Sequence, residues 1–274
     1  MNNKKILYWS IVVALAGFLF GFDTVVISGA DKQLQQLWGS SDLYHGLVVM
    51  SSALWGTVIG AIFGSYPTNI LGRKKTLIII GLLFFISALG TAFATDSIIF
   101  SIFRFIGGIG IGASTIAAPT YVSEIAPAKD RGKLVALYQF NIVFGILIAF
   151  TSNFYLQDIG ENSWRWMLGI QAFPAFIYTL LVFGIPESPR WIFEYKKDRA
   201  QAISILKQIN TDAQVEEEIA AIENETAHEG KNESIFMKKY RKPLLLAFFI
   251  AFFNQLSGIN AFLYYAPRIF ELAG

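Results

Sequence analysis

The apolar residues of this chain are gathered into seven long blocks, which polar stretches separate. The blocks lie at 6–30, 44–66, 77–94, 98–121, 134–156, 165–185 and 243–267. An α-helix of about 20 residues crosses the roughly 30 Å of hydrocarbon in a bilayer, because each residue rises about 1.5 Å. The first block is too long for the apolar region of a cleaved signal peptide. The pattern therefore predicts an all-α, polytopic membrane protein with seven spans.

Composition supports a membrane protein and excludes several functions. Of the 274 residues, 54% are hydrophobic and 15% are charged, whereas about a quarter of the residues of a soluble protein are charged. The chain has no cysteine, which excludes disulfides and thiolate metal sites. We find no nucleotide-binding loop, metal-ligand cluster or nucleophile–base arrangement, and the two histidines, His45 and His228, stand alone in the sequence. We expect a protein of the lipid bilayer that is not an enzyme and that binds no cofactor, metal or nucleic acid.

The basic residues predict the orientation. Most of the 22 Lys and Arg residues lie before the first span or in alternate connections after it. Those in the short segments are Lys4, Lys5, Arg73, Lys74, Lys75, Lys129, Arg131 and Lys133. Short cytoplasmic loops carry an excess of such residues. We therefore expect an integral protein of the cytoplasmic membrane with its N-terminus in the cytoplasm.

The chain divides into three parts. Residues 1–185 hold six spans, residues 186–242 form a polar connection on the predicted cytoplasmic side, and residues 243–274 hold the seventh span. Within the connection, Val215, Ile219 and Ile222 repeat at helical spacing and predict a surface helix. Thr211 and Gln214 have the spacing of a capping box at its start. The connection is therefore predicted to be a small helical linker.

Two charged residues lie inside predicted spans. Asp23 in the first span and Arg104 in the fourth both lie roughly 10 Å from the same face of the membrane, counting about 1.5 Å per residue. An ionised group at that depth needs a partner or an aqueous cavity. The matched depths predict that the two side chains pair. Such a pair either fastens two helices or acts as a coupling device, in which Asp23 alternates between binding Arg104 and binding a proton.

The seventh span is unusually polar. Asn254, Gln255 and Asn260 lie in mid-span with a helix-weakening Gly258, and Tyr264 follows. On a continuous helix, Asn260 and Tyr264 share a face and Gln255 is offset by about 140°. Amides and aromatic rings suit a polyol, since each hydroxyl needs both a donor and an acceptor. An interhelical hydrogen-bond network is the other interpretation, and both also apply to Gln139 in the fifth span.

Several ordered motifs resemble the sugar porter family of the major facilitator superfamily, over essentially the whole chain. They are Phe20-Gly-Phe-Asp-Thr-Val-Val-Ile-Ser-Gly29, Gly72-Arg-Lys-Lys75, Arg104-Phe-Ile-Gly-Gly-Ile-Gly110, Pro119-Thr-Tyr-Val-Ser-Glu124, Arg131-Gly132, Pro186-Glu-Ser-Pro-Arg-Trp191 and Gln255-Leu-Ser-Gly-Ile-Asn-Ala-Phe-Leu-Tyr-Tyr-Ala-Pro267. The resemblance implies a secondary transporter that moves a monosaccharide with protons by alternating access. It also implies that Asp23 and Arg104 are the proton-coupling pair.

The resemblance assigns expected roles to further residues. Those that match sugar-contacting or cavity-lining positions are Phe20, Gln139, Asn254, Gln255, Asn260 and Tyr264. Those that match the cytoplasmic gate are Arg73, Glu124 and Arg131. Three positions depart from the family pattern: Asn69 stands where Asp is frequent, Ile146 where some carriers have Gln, and Asn254 where Gln is usual. The first departure weakens the expected gate, and the other two leave the identity of the sugar open.

The family has twelve spans in two six-helix bundles, whereas seven are predicted here. The resemblance therefore implies a six-helix N-terminal bundle, a cytoplasmic helical linker and the first helix of a second bundle whose remainder, the C-terminal half, is missing. Two alternatives stay open: a passive sugar uniporter in which Asp23 and Arg104 are structural, and a non-transporting sensor or fragment.

Overall fold

The computed structural model describes residues 3–127, 129–228 and 237–273. The seven predicted spans are confirmed. Seven helices within the described residues are long and apolar enough to cross a membrane: Lys4–Gly29, Asp42–Phe63, Arg73–Ala92, Ser97–Ile125, Arg131–Leu156, Ser163–Phe183 and Arg241–Ala273. We number them first to seventh span. The fourth ends at Ile125, past the predicted end at 121, because the helix continues through Pro119.

The first six spans pack as one bundle. The main contacts join the first span to the fifth, the second and third to the fourth, and the third to the sixth. Glycine allows the close approach of the second and fourth spans. A Cβ at Gly56 would lie 2.1 Å from the carbonyl oxygen of Phe105, and one at Gly60 would lie 2.3 Å from that of Ile109. The small-residue spacing in the sequence is therefore a packing feature.

Short helices cover the two ends of the bundle. We call the end that carries the linker the linker side and the opposite end the far side. On the far side, a short helix at Asp31–Trp38 follows the first span and ends at Gly39, in left-handed conformation with φ 55°. Trp38 packs edge-on against Phe100 and Trp164, with ring centroids 5.2 and 6.1 Å away. These aromatic contacts fix the far-side helix to the fourth and sixth spans.

The linker has the helical structure that the sequence predicts. Its helices run Pro189–Trp191, Ile192–Lys196, Arg199–Leu206 and Asp212–His228. Val215 and Ile219 are buried in a small core with Ile192 and Leu206. The backbone N–H of Thr211 donates to Gln214 Oε1 over 3.1 Å, which is one of the contacts expected at a helix start.

The seventh span is broken in the middle. Its two halves are Arg241–Leu256 and Ile259–Ala273, and Gly258 between them has a φ of 75°. The first half is exposed along its length, whereas the second half packs against the far-side part of the first span. The helix-weakening role predicted for Gly258 is therefore confirmed.

Candidate transport site

A buried ion pair lies between the first and fourth spans. Arg104 Nη1 donates to Asp23 Oδ1 over 2.8 Å, and Nη2 donates to the Asp23 carbonyl oxygen over 3.0 Å. Each side chain is 1% exposed. The two charged residues predicted to pair are therefore in contact. A charge removed from water to this extent is costly unless it is paired, so each residue depends on the other.

Further buried polar groups surround the pair. Ser87 Oγ and Gln171 Nε2 are buried beside it, as are Asp23 Oδ2 and Arg104 Nε within the pair itself. Gln171, in the sixth span, lies close enough to the Asp23 carboxylate to stabilise its charge by a side-chain hydrogen bond. The sequence did not identify Ser87 or Gln171, because an uncharged side chain inside a span gives no signal without its neighbours.

Tyr264 connects the seventh span to this pair. The side chain is 4% exposed and packs with Phe22 and Val26 of the first span. Its hydroxyl interacts electrostatically with both Asp23 and Arg104. One residue expected to contact sugar thus lies beside the two residues expected to form the proton-coupling pair.

The amides of the seventh span are arranged differently from the expectation for a continuous helix. Asn260 Nδ2 donates to Gln255 Oε1 over 2.7 Å, although a regular helix would place the two on different faces. The break at Gly258 turns the chain and brings them together. This bond leaves the Gln255 amide nitrogen as a donor and the Asn260 amide oxygen as an acceptor, the two functions that a sugar hydroxyl needs.

The remaining predicted sugar contacts are not gathered around the ion pair. Phe20 is half-buried and packs against the core of the bundle. Gln139 is exposed on the fifth span, and Asn254 is exposed in the first half of the seventh. The structure therefore unites Asp23, Arg104 and Tyr264 but leaves Gln139 and Asn254 on open surfaces.

Two of the three predicted gate residues are joined on the linker side. Arg73 and Glu124 form a bidentate pair, with Nη2 2.7 Å from Oε1 and Nε 3.0 Å from Oε2. Asn69, the departure from the family pattern, accepts a bond of 3.4 Å from Arg73 Nη1 instead of forming an ion pair. Arg131 is exposed, and within the described residues it forms no ion pair with Glu124. It lines a cavity of about 460 Å³ with Glu124 and interacts with Glu218 of the linker.

Glu187, which follows the sixth span, joins the start of the third span to the start of the linker. Its Oε1 accepts the backbone N–H groups of Lys74 and Ser188, each over 2.9 Å. Burial raises the pKa of the Glu187 carboxyl above its ordinary value, and these two bonds partly oppose the shift. The Pro186–Trp191 motif contains Glu187, but sequence reasoning gave it no role.

Two expectations from the sequence concern the histidines and metal binding. His45 does not stand alone, because Asp31 Oδ1 lies 2.8 Å from its Nε2 in the buried far side of the bundle. The side chain of His228 lies outside the described residues. Across residues 3–127, 129–228 and 237–273, no group of three or more His, Cys, Asp and Glu side chains could hold a metal ion.

Comparison with known proteins finds sugar transporters. The family described as "Sugar (and other) transporter" matches residues 9–274. The chain is 38% identical to the arabinose-proton symporter of Bacillus subtilis (strain 168), over 97% of this chain and 58% of that protein. It is 33% identical to the D-xylose-proton symporter of Escherichia coli (strain K12), over 100% of this chain and 62% of that protein. The chain thus spans about three fifths of the length of these relatives.

The fold agrees with a solved transporter. A partially occluded, inward-open structure of the xylose transporter XylE from E. coli superposes with a TM-score of 0.86 at 32% identity. That alignment covers 97% of this chain and 67% of the other.

The gate geometry gives a prediction about stability. Glu124→Gln would leave the buried Arg73 without its counter-charge, which costs about 3 kcal/mol for a buried pair. We expect the midpoint of thermal unfolding of the detergent-solubilised protein to fall by roughly 5–10 °C. Asp130→Asn is the matched control, because Asp130 pairs only loosely with the exposed Lys133. Equal midpoints for Glu124→Gln and Asp130→Asn would show that the buried pair contributes nothing.

Proposed function

Because this chain belongs to the sugar porter family of the major facilitator superfamily, we propose that it forms the proton-coupling part of a secondary transporter for a monosaccharide. Proteins of this family are transporters rather than enzymes. The observation that supports proton coupling most directly is the burial of the Asp23–Arg104 pair, with further buried polar groups around it. Simple fastening of two helices is a weak reason for such a pair, since apolar residues would serve as well.

Proton binding and ion pairing compete at Asp23. The ionised carboxylate attracts Arg104, and the protonated carboxyl loses most of that attraction. Proton binding therefore frees Arg104 to change partners, and Tyr264 interacts with both members of the pair. A change at the ion pair is in this way transmitted to the seventh span. Proton occupancy would bias which side of the site is open, because a bound proton shifts a conformational equilibrium by its differential affinity for the two states.

The sugar site is proposed to lie along the seventh span. Gln255 and Asn260 present one donor and one acceptor beside the break at Gly258. Phe20, Gln139, Asn254 and Tyr264 are proposed as its further contacts. The related proteins are named for arabinose and D-xylose, and we propose a pentose or hexose as the substrate class for this chain.

The same proposal includes a membrane orientation and a second helical bundle as the partner of this chain. The basic residues of the linker side favour a cytoplasmic location for it under the positive-inside rule, and we propose that the far side faces outward. Arg73 and Glu124, with Arg131 nearby, then form a cytoplasmic gate. Alternating access in such carriers needs a second bundle that moves against the first, and we propose that this chain works together with one.

Asp23→Asn tests the coupling role. We expect it to abolish accumulation of sugar against a gradient and to leave sugar exchange intact, because the neutral amide mimics a permanently protonated acid. The measurement uses a chimera in which this chain replaces the aligned segment of the B. subtilis arabinose-proton symporter, with labelled pentoses and hexoses. Asp158→Asn, at an exposed carboxylate, is the control. Uphill uptake equal to that of the parent chimera would refute coupling through Asp23.

Gln255→Leu and Asn260→Leu test the sugar site. Each removes a hydrogen-bonding group, and a loss of about 1.4 kcal/mol of binding free energy raises KM about tenfold. Leu256→Ala changes the exposed neighbour between them and should leave KM unchanged. Rates of exchange in the same chimera give the measurement. An unchanged KM in both amide variants would mean that these groups form only a structural network.

A further inference from the structure

A second buried charge cluster lies on the far side, away from the Asp23–Arg104 pair. We call Asp31, His45 and Arg268 the far-side cluster. Asp31 Oδ1 lies 2.8 Å from His45 Nε2, and Asp31 Oδ2 lies 2.8 Å from Arg268 Nε. The side chains of Asp31 and His45 are each 3% exposed, and that of Arg268 is 30% exposed.

The far-side cluster joins three separate elements through one carboxylate. Asp31 begins the far-side helix, His45 lies in the first turns of the second span, and Arg268 lies in the second half of the seventh span. Arg268 also donates from Nη2 to Gln35 Oε1 over 2.8 Å. These contacts hold the seventh span against the far side of the bundle.

The two partners of Asp31 are held differently. The contact between Asp31 and His45 satisfies hydrogen-bond geometry, whereas that between Asp31 Oδ2 and Arg268 Nε does not, although the atoms are equally close. The second contact is therefore an ion pair that depends on charge rather than on an aligned bond. A pair of that kind is weakened by any positive charge added to the cluster.

We propose that Asp31 and His45 form a second proton-binding site and that a proton bound there competes with Arg268, releasing the seventh span from the far side. A proton on Asp31 removes the charge that attracts Arg268. A proton on His45 places a second cation beside the same carboxylate and repels Arg268. Both events favour the state in which Arg268 has left, so acidification opens the far side.

The other polar and charged groups near the cluster do not change the direction of this pH response. Ser40 Oγ lies 3.3 Å from His45 Nδ1 and carries no charge. The Arg268 guanidinium lies over the ring of Tyr265, which also interacts with Asp31.

The remaining charged groups nearby are already paired with other residues. Lys32 and Glu271 form an exposed ion pair between the far-side helix and the seventh span, and Gln35 donates a hydrogen bond to Asp42. Asp96 caps the start of the fourth span, bonding its own backbone N–H groups. Arg268 is therefore the cation that a proton displaces.

The absence of cysteine makes a distance measurement straightforward. We would introduce cysteines at Leu43, in the second span, and at Leu272, in the seventh, which are 73% and 84% exposed. Spin labels there report the separation of the two spans in lipid nanodiscs by pulsed electron resonance. On lowering the pH from about 7.5 to about 5.5, the population with the longer distance should rise at least about threefold.

Variants separate the far-side cluster from other causes. Arg268→Gln and Asp31→Asn should show the longer distance at both pH values, and His45→Gln should respond less than the parent. Lys32→Gln removes only the exposed pair with Glu271 and should respond as the parent does. The same pH response in an Asp23→Asn background would exclude the deeper pair as its source, and its loss there would overturn the proposal.

Two further results would refute the proposal: a parent distance that does not change with pH, and an Arg268→Gln variant that responds like the parent. Should Asp31→Asn fail to fold, the more exposed Arg268 still provides the test. The gating role rests on the proposed transport function, but the distances need no transport. A negative result here would leave sugar transport standing, and failure of the transport chimera would leave the pH response measurable.

Discussion

The arrangement of this bundle depends on the burial of one arginine. Arg104 lies inside the fourth span with 1% of its side chain exposed, and Asp23 supplies both a carboxylate and a backbone carbonyl to it. This requirement fixes the first span against the fourth at a defined depth, because an unpaired charge there would cost several kcal/mol. Ser87 and Gln171 add further buried polar groups around the pair.

Two charge clusters contact the second half of the seventh span. The deeper one involves Tyr264 and the far-side one involves Arg268, and both residues belong to the second half of the seventh span. The break at Gly258 separates this half from the exposed first half, so the two clusters act on one short helical segment. We propose that both carboxylates also bind protons, which would link proton occupancy to access in a coupled transporter.

The spans and the charged pair could be predicted from the sequence, but the surroundings of the pair could not. The length and polarity of the blocks were sufficient for seven spans, and matched depth was sufficient for Asp23 and Arg104. Gln171 lies against that pair only because of how the sixth span packs, which no single-sequence pattern reports. The contact of Asp31 with His45 depends in the same way on the turn after the far-side helix. The Gln255–Asn260 bond was missed because the helix breaks between them.

The most direct test is whether protons enter with the sugar through Asp23. Sugar is added to a lightly buffered suspension of cells that express the chimera with the arabinose-proton symporter, and the pH of the medium is recorded with sugar uptake. Our expectation is alkalinisation in step with uptake, and uptake without alkalinisation in Asp23→Asn. Sugar entry without any pH change in the parent chimera would contradict it and identify a passive uniporter.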